Sequence, residues 1–281
     1  MNREAMLRDM GITPLWKPRG AGAAPVVEDT TVVEAAQIPR SAERAAPPVP
    51  AVATARPAAE APARSLREAP ATAKSPAVSI DPARVEHIAR MDWPELKETV
   101  AGCTACGLCN SRRKTVFGVG DEKADWMIIG EAPGAEEDAT GEPFVGQAGR
   151  LLDSMLAALA MRRETNIYIA NVLKCRPPGN RNPEPLEVAQ CSPHLLRQVA
   201  LAQPKLIILM GRFASQTLLG TDASIASMRG RLHQYQGTPA IVTYHPAYLL
   251  RNLPDKAKAW QDLLFARKTY QRLQSAAGAA K

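Results

Sequence analysis

Beyond residue 90 the chain alternates between short apolar runs and segments with a helical pattern. The apolar runs have the length of strands and span residues 126–129, 167–173, 206–210 and 240–244. The helical segments span residues 92–100, 148–159, 184–201, 213–219 and 256–275. Strands that alternate with helices form mostly parallel sheets that are covered on both faces. The pattern therefore predicts an α/β protein, with a three-layer αβα fold around a central four-stranded, mostly parallel sheet.

The first 80 residues have a different composition. Residues 21–80 are rich in alanine and proline, and no aromatic residue lies between Trp16 and Trp93. Such a segment buries too little apolar surface to offset the entropy lost on ordering it. We therefore expect a disordered Ala/Pro-rich linker at 21–80 and a folded domain at 81–281.

Apolar residues are concentrated once more near the start, within residues 6–16. A short amphipathic element at the end of a long tether is typical of a peptide that docks on a partner. The alternative is a leftover helix with no such role. The segment resembles the N-terminal peptide of the bacterial clamp-loader psi subunit, which binds the chi subunit. The resemblance implies that residues 1–20 dock on a chi-like replication protein.

Charge and hydropathy narrow the classes of function. No apolar run reaches the ~18 residues of a membrane helix, and the N-terminus lacks the apolar core of a secretory signal. We therefore expect a cytoplasmic protein without membrane contact, and a monomer. The net charge is +7, and residues 229–281 hold nine Lys or Arg against two acidic residues. This surplus favours a nucleic-acid partner, although a solvated helix face would also carry it.

Five cysteines in such a chain indicate metal ligation rather than disulfides. Cys103, Cys106 and Cys109 form a C-x2-C-x2-C run, and Cys175 and Cys191 follow later. A tetrahedral zinc ion or a [4Fe–4S] cluster takes four thiolates, so one cysteine is spare. A ferredoxin run would need another cysteine soon after Cys109, and none occurs there. These residues leave zinc and iron–sulfur open, and ordinary buried thiols at Cys175 and Cys191 are the remaining alternative.

Polar motifs follow three of the predicted strands. A glycine-rich turn at 130–134 follows the first, Asn171 lies near the end of the second, and His245 follows the last. Ligands bind at the carboxyl ends of strands in such sheets, so we expect these residues to share one crevice. The turn lacks the G-x-G-x-x-G spacing of a dinucleotide site. That absence disfavours an electron carrier or a nucleotide-binding oxidoreductase.

Three segments, in this order, resemble the motifs of family-four uracil-DNA glycosylases: residues 130–146, 171–181 and 245–251. The resemblance implies a monofunctional DNA glycosylase that hydrolyses the N-glycosidic bond of deoxyuridine and starts base excision repair. It also implies a [4Fe–4S] cluster rather than zinc. The implied ligands are Cys103, Cys106, Cys175 and Cys191, with Cys109 spare. The alternative is a non-enzymatic iron–sulfur or zinc adaptor that binds nucleic acid.

A glycosylase must receive uracil outside the base stack and recognise it there. Asn171 would read the uracil edge, because its carboxamide offers one donor and one acceptor; otherwise it satisfies the local backbone. His245 would stabilise the negative charge that develops on uracil O2. Phe144 would stack on the flipped base, or else belong to the core. The resemblance implies that Glu137 crowds the 5-methyl group of thymine, although it could equally be a solvated acid.

The glycine-rich turn would serve the sugar and the attacking water. Ala132 stands where better-known uracil glycosylases carry an aspartate. Glu131 would then stabilise the sugar cation or position the water. The alternative is that Glu131 acts mainly through backbone atoms of the turn in binding uracil, alongside Gly130 and Ala132.

DNA contacts are expected after His245 and in the basic part of the chain. Exposed apolar residues beside an arginine form a plausible wedge for the gap left by a flipped base. The wedge candidates are Tyr248, Leu249 and Leu250. The phosphate candidates are Arg229 and Arg251, joined by Lys174 and Arg181.

Deletion of residues 1–80 tests the predicted division of the chain. We expect the truncated protein to release uracil from short DNA at the full-length rate, because no candidate site residue lies in the deleted part. The measurement is the initial rate of abasic-site formation in both proteins. Loss of cleavage in a truncated protein that still folds would assign the N-terminal part to catalysis.

Overall fold

The computed structural model of the protein describes residues 80–279, with side chains as far as residue 276. Its strands are β1 (Val119–Gly120), β2 (Trp126–Gly130), β3 (Ile167–Asn171), β4 (Leu206–Met210), β5 (Leu232–Tyr235) and β6 (Thr238–Thr243). Its helices are α1 (Pro82–Arg90), α2 (Trp93–Ala101), α3 (Ala135–Thr140), α4 (Gln147–Ala157), α5 (Pro185–Ala202), α6 (Arg212–Leu219), α7 (Ile225–Met228), α8 (Pro246–Arg251) and α9 (Lys256–Ala279). The docking peptide and nearly all of the linker predicted from the sequence lie outside the described residues.

The strands form one sheet in the order β1-β3-β2-β4-β6-β5. The four central strands pair in parallel, and β1 and β5 pair antiparallel at the two edges. The sheet thus has six strands, and the prediction of four was wrong on this count. The sequence pattern did not reveal the edge strands, because β1 has only two residues and β5 is largely exposed, with Leu232 53% accessible. Neither of them forms an apolar run.

Alternate residues of β2 face two different helical layers, as the pleat of a strand requires. Met127 and Ile129 join one core cluster with residues of α5, α6 and α7. Trp126 and Ile128 join a second cluster with residues of α4 and α9. Every residue of β2, β3 and β4 is buried. The predicted three-layer αβα architecture is confirmed.

Local sequence signals fix where the first helices begin. The Asp81 side chain accepts from Ala83 N at the start of α1, which has proline in its first turn. Asp92 and Glu95 form a reciprocal capping box at the start of α2, and such a box pairs main-chain N–H groups that a helix leaves free. Within residues 80–279, no helix combines the length and the apolar character that crossing a bilayer requires.

Ile128→Ala tests the packing on the α4 and α9 side of the sheet. Ile128 is 1% exposed at the centre of β2, so we expect the substitution to lower the free energy of unfolding by about 2–5 kcal/mol. Urea titration of both proteins measures the difference. The matched control is Leu186→Ala, since Leu186 is 48% exposed and should cost far less. Equal losses for the two variants would contradict the assigned core.

Candidate active site

Strand pairing brings the predicted site residues to one edge of the sheet. Gly130 at the end of β2 pairs with Asn171 at the end of β3. Further along the sheet, β6 ends at Thr243, which pairs with Met210 of β4. His245 follows two residues later. The carboxyl ends of the parallel strands therefore carry the amide and the imidazole at the same edge.

Gly130 leaves no room for a side chain at this edge of the sheet. A Cβ atom at Gly130 would stand 2.5 Å from Asn171 Oδ1 and 2.7 Å from the ring of Phe144. Real side chains do not tolerate such distances, so this position needs glycine for space. The amide, the aromatic ring and the glycine main chain therefore form one continuous wall.

Asn171 presents an unusual polar atom. Its side chain is only 2% exposed, and Oδ1 has no hydrogen-bond partner among the described residues. A buried acceptor left unpaired costs about 1–3 kcal/mol. The arrangement therefore suits a ligand that brings a hydrogen-bond donor to this oxygen.

His245 has a fixed tautomer. Its Nδ1 accepts from Ala247 N at 3.1 Å, as the N-cap of α8. Burial lowers the pKa of His245 to about 4, with Glu137 opposing this shift and Arg251 adding to it. At neutral pH the imidazole is therefore uncharged, and Nε2–H is its free donor. Gly211 lies behind it with φ +92°, where a Cβ would stand 2.9 Å from the His245 Cβ.

The aromatic ring of Phe144 stacks on the imidazole of His245, with ring centroids 5.3 Å apart. Phe144 is 4% exposed and has a left-handed backbone, with φ +56°. Arg163 holds this conformation by donating to Pro143 O at 2.9 Å and to the carbonyl of Phe144. Gly149 makes the approach possible, since a Cβ there would lie 1.7 Å from Phe144 O.

Glu137 connects the glycine-rich turn to the loop that carries Phe144. Its carboxylate accepts from Gly134 N at 3.0 Å, Val145 N at 3.1 Å and Gly146 N at 3.3 Å. Because three main-chain N–H groups donate to this carboxylate, its position is fixed, unlike that of a solvated acid. The sequence suggested a contact to the base here and did not reveal this linking role.

Glu131 is half-buried beside Gly130. Burial raises its pKa, and the positive charge of Arg212 opposes the rise. Arg212 is the exposed first residue of α6, which follows β4. Sequence reasoning missed this cation. Its place directly after a predicted strand was the signal that could have identified it.

Helix α8 carries the three predicted wedge residues, and one of them is buried. Leu249 is 1% exposed and packs in a crevice with residues of α4 and α9, including Trp260. The expectation that Leu249 is exposed was wrong. Tyr248 is likewise engaged, because its hydroxyl donates to Asp255 at 2.6 Å. Of the wedge candidates, Leu250 is the exposed apolar side chain, at 39%, and Arg251 beside it is exposed.

Two predicted phosphate contacts are occupied within the protein. Arg229 forms an ion pair with Asp262 at 2.9 Å and lies over the ring of Tyr244. Lys174 is 2% exposed, and its Nζ donates to Asn171 O at 2.8 Å and to Gln198 Oε1 at 2.6 Å. The structure therefore contradicts both expectations, because Lys174 is buried and Arg229 is half-buried and held by its carboxylate partner.

Arg181 is also paired, although it is more accessible. Its guanidinium forms ion pairs with Glu184 and Glu187, and its side chain is 38% exposed. Glu187 accepts from it through both carboxylate oxygens. Four cations were predicted from the sequence to contact phosphate. Of these, Arg251 has no ion pair among the described residues.

Four of the five cysteines line one cavity: Cys103, Cys106, Cys175 and Cys191. Cys109 is not among the lining residues, and its thiol donates instead to Asn110 Oδ1 at 3.4 Å. No three His, Cys, Asp or Glu side chains in the described part of the chain are gathered as closely as a single bound ion requires. The division into four cysteines and a spare matches the set implied by the resemblance.

Three of the four sulfurs in this cavity accept a hydrogen bond from a nearby N–H group. The donors are Arg84 Nη2 to Cys103 at 3.8 Å, Arg112 Nη1 to Cys175 at 3.3 Å, and Lys174 N to Cys191 at 3.2 Å. Sulfur atoms surrounded by donors and cations suit thiolates that carry negative charge. The chemistry of the cavity therefore fits a thiolate-bound metal group.

The chain is similar in sequence to known proteins. Residues 117–264 match the family model described as the uracil DNA glycosylase superfamily. The type-4 uracil-DNA glycosylase of Archaeoglobus fulgidus is 42% identical over 164 residues, which cover 56% of this chain and 82% of that protein. The chain belongs to the type-4 uracil-DNA glycosylase family. The resemblance identified from three motifs is thereby confirmed.

Other relatives support the same family assignment. The type-4 uracil-DNA glycosylase of Pyrobaculum aerophilum is 40% identical over 183 residues, 62% of this chain and 92% of the relative. A type-5 uracil-DNA glycosylase of the same organism is 26% identical over 204 residues, 60% of this chain and 88% of the relative. The type-4 family therefore matches this chain more strongly than the type-5 relative does.

The neutral state of His245 predicts a pH dependence of stability. Its pKa is about 4 in the folded protein against 6.5 as the ordinary value, so the unfolded chain binds more protons between these pH values. The free energy of unfolding should therefore fall as pH decreases from 6.5 to 4. His245→Gln removes this titration, so its stability should fall less steeply over the same interval.

Urea titrations of both proteins at several pH values measure the two slopes. The pKa of His194 is also lowered, to about 3, chiefly by burial. That group titrates in both proteins, so its contribution cancels in the comparison. Parallel stability curves for the two proteins would contradict a neutral His245.

Proposed function

We propose that the protein is a monofunctional uracil-DNA glycosylase that hydrolyses the N-glycosidic bond of deoxyuridine in DNA and so starts base excision repair. Membership in the type-4 family supports this. The observation that carries it is the wall formed by Gly130, Asn171, Phe144 and His245, whose buried amide oxygen has no donor within residues 80–279.

Asn171 selects uracil by its hydrogen-bond pattern. Its Oδ1 accepts the N3–H of the flipped base, and its Nδ2 donates to O4. Cytosine presents an acceptor at N3 and a donor at C4, so both contacts would become repulsive. The Lys174 ammonium supports the selection by holding the main-chain carbonyl of Asn171 at 2.8 Å.

His245 stabilises the leaving group. Breaking the bond between C1′ and N1 puts positive charge on the sugar and negative charge on uracil. The neutral imidazole donates Nε2–H to uracil O2, where the negative charge develops, and such a donor is typically worth a few kcal/mol. Its lowered pKa keeps the imidazole uncharged at neutral pH, and the stacked Phe144 ring keeps it in place.

Glu137 and Phe144 shape the remaining walls. Phe144 provides an apolar surface against which the uracil ring stacks. Glu137, fixed by three main-chain donors, restricts the space next to the C5 atom of the base. A 5-methyl group would require this carboxylate to move, and thymine is therefore rejected.

Glu131 acts on the sugar side. Ala132 has no carboxylate, and Glu131 is the adjacent acidic group on the turn. Its half-buried side chain stabilises the sugar cation or orients the attacking water, while Gly130 and Ala132 contribute main-chain contacts to uracil. Arg212 lies close enough to moderate the charge of Glu131.

DNA binding uses the exposed end of α8. Leu250 fills the gap left by the flipped base, and Arg251 contacts a phosphate nearby. Arg212 is a further candidate for phosphate contact, because it is exposed at the same edge of the sheet. Such contacts make affinity fall steeply with salt.

The four cysteines of the sulfur cavity hold a [4Fe–4S] cluster: Cys103, Cys106, Cys175 and Cys191. The cavity offers four thiols, the number of thiolates that such a cluster takes. When bound, the cluster ties the residue 103–106 segment to α5. Visible absorption near ~400 nm distinguishes it from zinc. The chi-like partner of residues 6–16, the monomeric state and the cytoplasmic location stay predictions from the sequence.

Two substitutions test the proposed chemistry. We expect His245→Ala and Asn171→Ala each to lower turnover on uracil-containing DNA by about 10²–10³, because each removes a contact to the reacting base. DNA affinity should change little, since neither residue lies on the DNA-contacting end of α8. The measurements are abasic-site formation under single-turnover conditions and the Kd for the same duplex.

The matched controls are His87→Ala and Asn182→Ala, because His87 and Asn182 are exposed and neither forms part of the wall. Thymine-containing DNA serves as the substrate control. Absence of product from uracil-containing DNA with the intact, cofactor-loaded protein would reject the glycosylase. Equal losses of turnover and affinity would show that the two roles are misassigned.

A further inference from the structure

His194 carries a buried hydrogen-bond donor that nothing in the described protein accepts. The residue is 1% exposed, and its Nδ1 has no hydrogen-bond partner among the described residues. Buried polar groups are almost always paired, so such an atom calls for an explanation. The proposed glycosylase chemistry makes no use of it.

The contact with Arg84 determines which ring nitrogen holds the proton. Arg84 Nη2 lies 3.0 Å from His194 Nε2. A guanidinium group has only donors, so Nε2 must accept in this contact. The imidazole is then neutral with its proton on Nδ1. The unpaired atom is therefore a donor and not an acceptor.

The sulfur cavity is the space that lies beside this imidazole. His194 lines the same cavity as Cys103, Cys106, Cys175 and Cys191. Cys191 and His194 lie one turn apart on α5, which places both side chains on the same face of that helix. A group bound in this cavity is therefore the candidate acceptor for Nδ1–H.

None of the four thiols accepts from His194 Nδ1. Three of the four sulfurs accept instead from an N–H group of Arg84, Arg112 or Lys174. A zinc ion would add no acceptor to the cavity. An iron–sulfur cluster would add inorganic sulfide, which accepts hydrogen bonds and carries negative charge.

We propose that His194 donates a hydrogen bond from Nδ1–H to an inorganic sulfide of the cluster and thereby sets its reduction potential. The inference rests on the proposed [4Fe–4S] cofactor and not on uracil excision. A hydrogen bond to sulfide stabilises the more negative, reduced state, so the donor makes reduction easier. Arg84 is the positioning residue, because its guanidinium fixes the tautomer.

Two substitutions at this position separate donation from packing. His194→Phe keeps a ring of similar size and removes the donor. His194→Asn keeps an N–H group close to the position of Nδ1. His87→Phe is the matched control, since His87 is exposed on α1. All proteins are full-length chains purified without oxygen, and iron and acid-labile sulfide are measured first.

Redox titration then gives the midpoint potential of each loaded protein. We expect a shift to more negative potential for His194→Phe, a potential near wild type for His194→Asn, and no shift for His87→Phe. An unchanged potential in a fully loaded His194→Phe protein would overturn the hydrogen bond. Zinc in place of iron and sulfide would overturn both the cofactor and the inference.

A spectroscopic measurement on the unsubstituted protein covers the case in which His194→Phe takes up no cluster. With ¹⁵N-labelled histidine, pulsed electron paramagnetic resonance of the paramagnetic cluster should show a ¹⁵N coupling. That coupling should disappear in His194→Asn, although the potential stays near wild type. No ¹⁵N coupling in the labelled, loaded protein would overturn the proposal. Uracil release is measured in parallel, so that a failure of the glycosylase is recognised separately.

Discussion

The absence of a side chain at Gly130 is the constraint on which the active-site wall depends. The parallel pairing of β2 with β3 sets Gly130 beside Asn171. A Cβ at this point would meet both the Asn171 amide and the Phe144 ring at less than 3.0 Å. Even one methyl group would separate the amide from the aromatic ring. His245 would lose its stacking partner through the same displacement.

The wall is assembled largely by main-chain contacts. Glu137 accepts from amides on the glycine-rich turn and on the Phe144 loop. Arg163 donates to carbonyls on the other side of that loop. These two charged groups maintain Phe144 in a left-handed conformation that a phenylalanine rarely adopts. The positions of the side chains are thereby fixed before any base enters.

Hydrophobic periodicity predicted the parts of the fold that are buried in a regular way. The strands β2, β3 and β4 were identifiable because they are buried at every position. The ends of β3 and β6 then located Asn171 and His245. The edge strand β5 could not be found, since its exposure alternates and Leu232 faces solvent.

Contacts between residues far apart in the sequence explain why some side chains at the site were wrongly predicted or overlooked. Arg229 looked like a DNA contact until Asp262, 33 residues away, supplied its partner. The six residues of α8 did not indicate which face lies against α4 and α9, so Leu249 was taken as exposed. The Arg163 clamp on Phe144 likewise joins residues 19 positions apart.

Lys174 connects the sulfur cavity to the active-site wall. Its main-chain N–H donates to Cys191 Sγ, and its ammonium donates to Asn171 O. Under the proposed [4Fe–4S] assignment, displacement of Cys191 on loss of the cluster would therefore disturb the residue that supports the Asn171 main chain. Cofactor loading and base reading would then be coupled through one lysine.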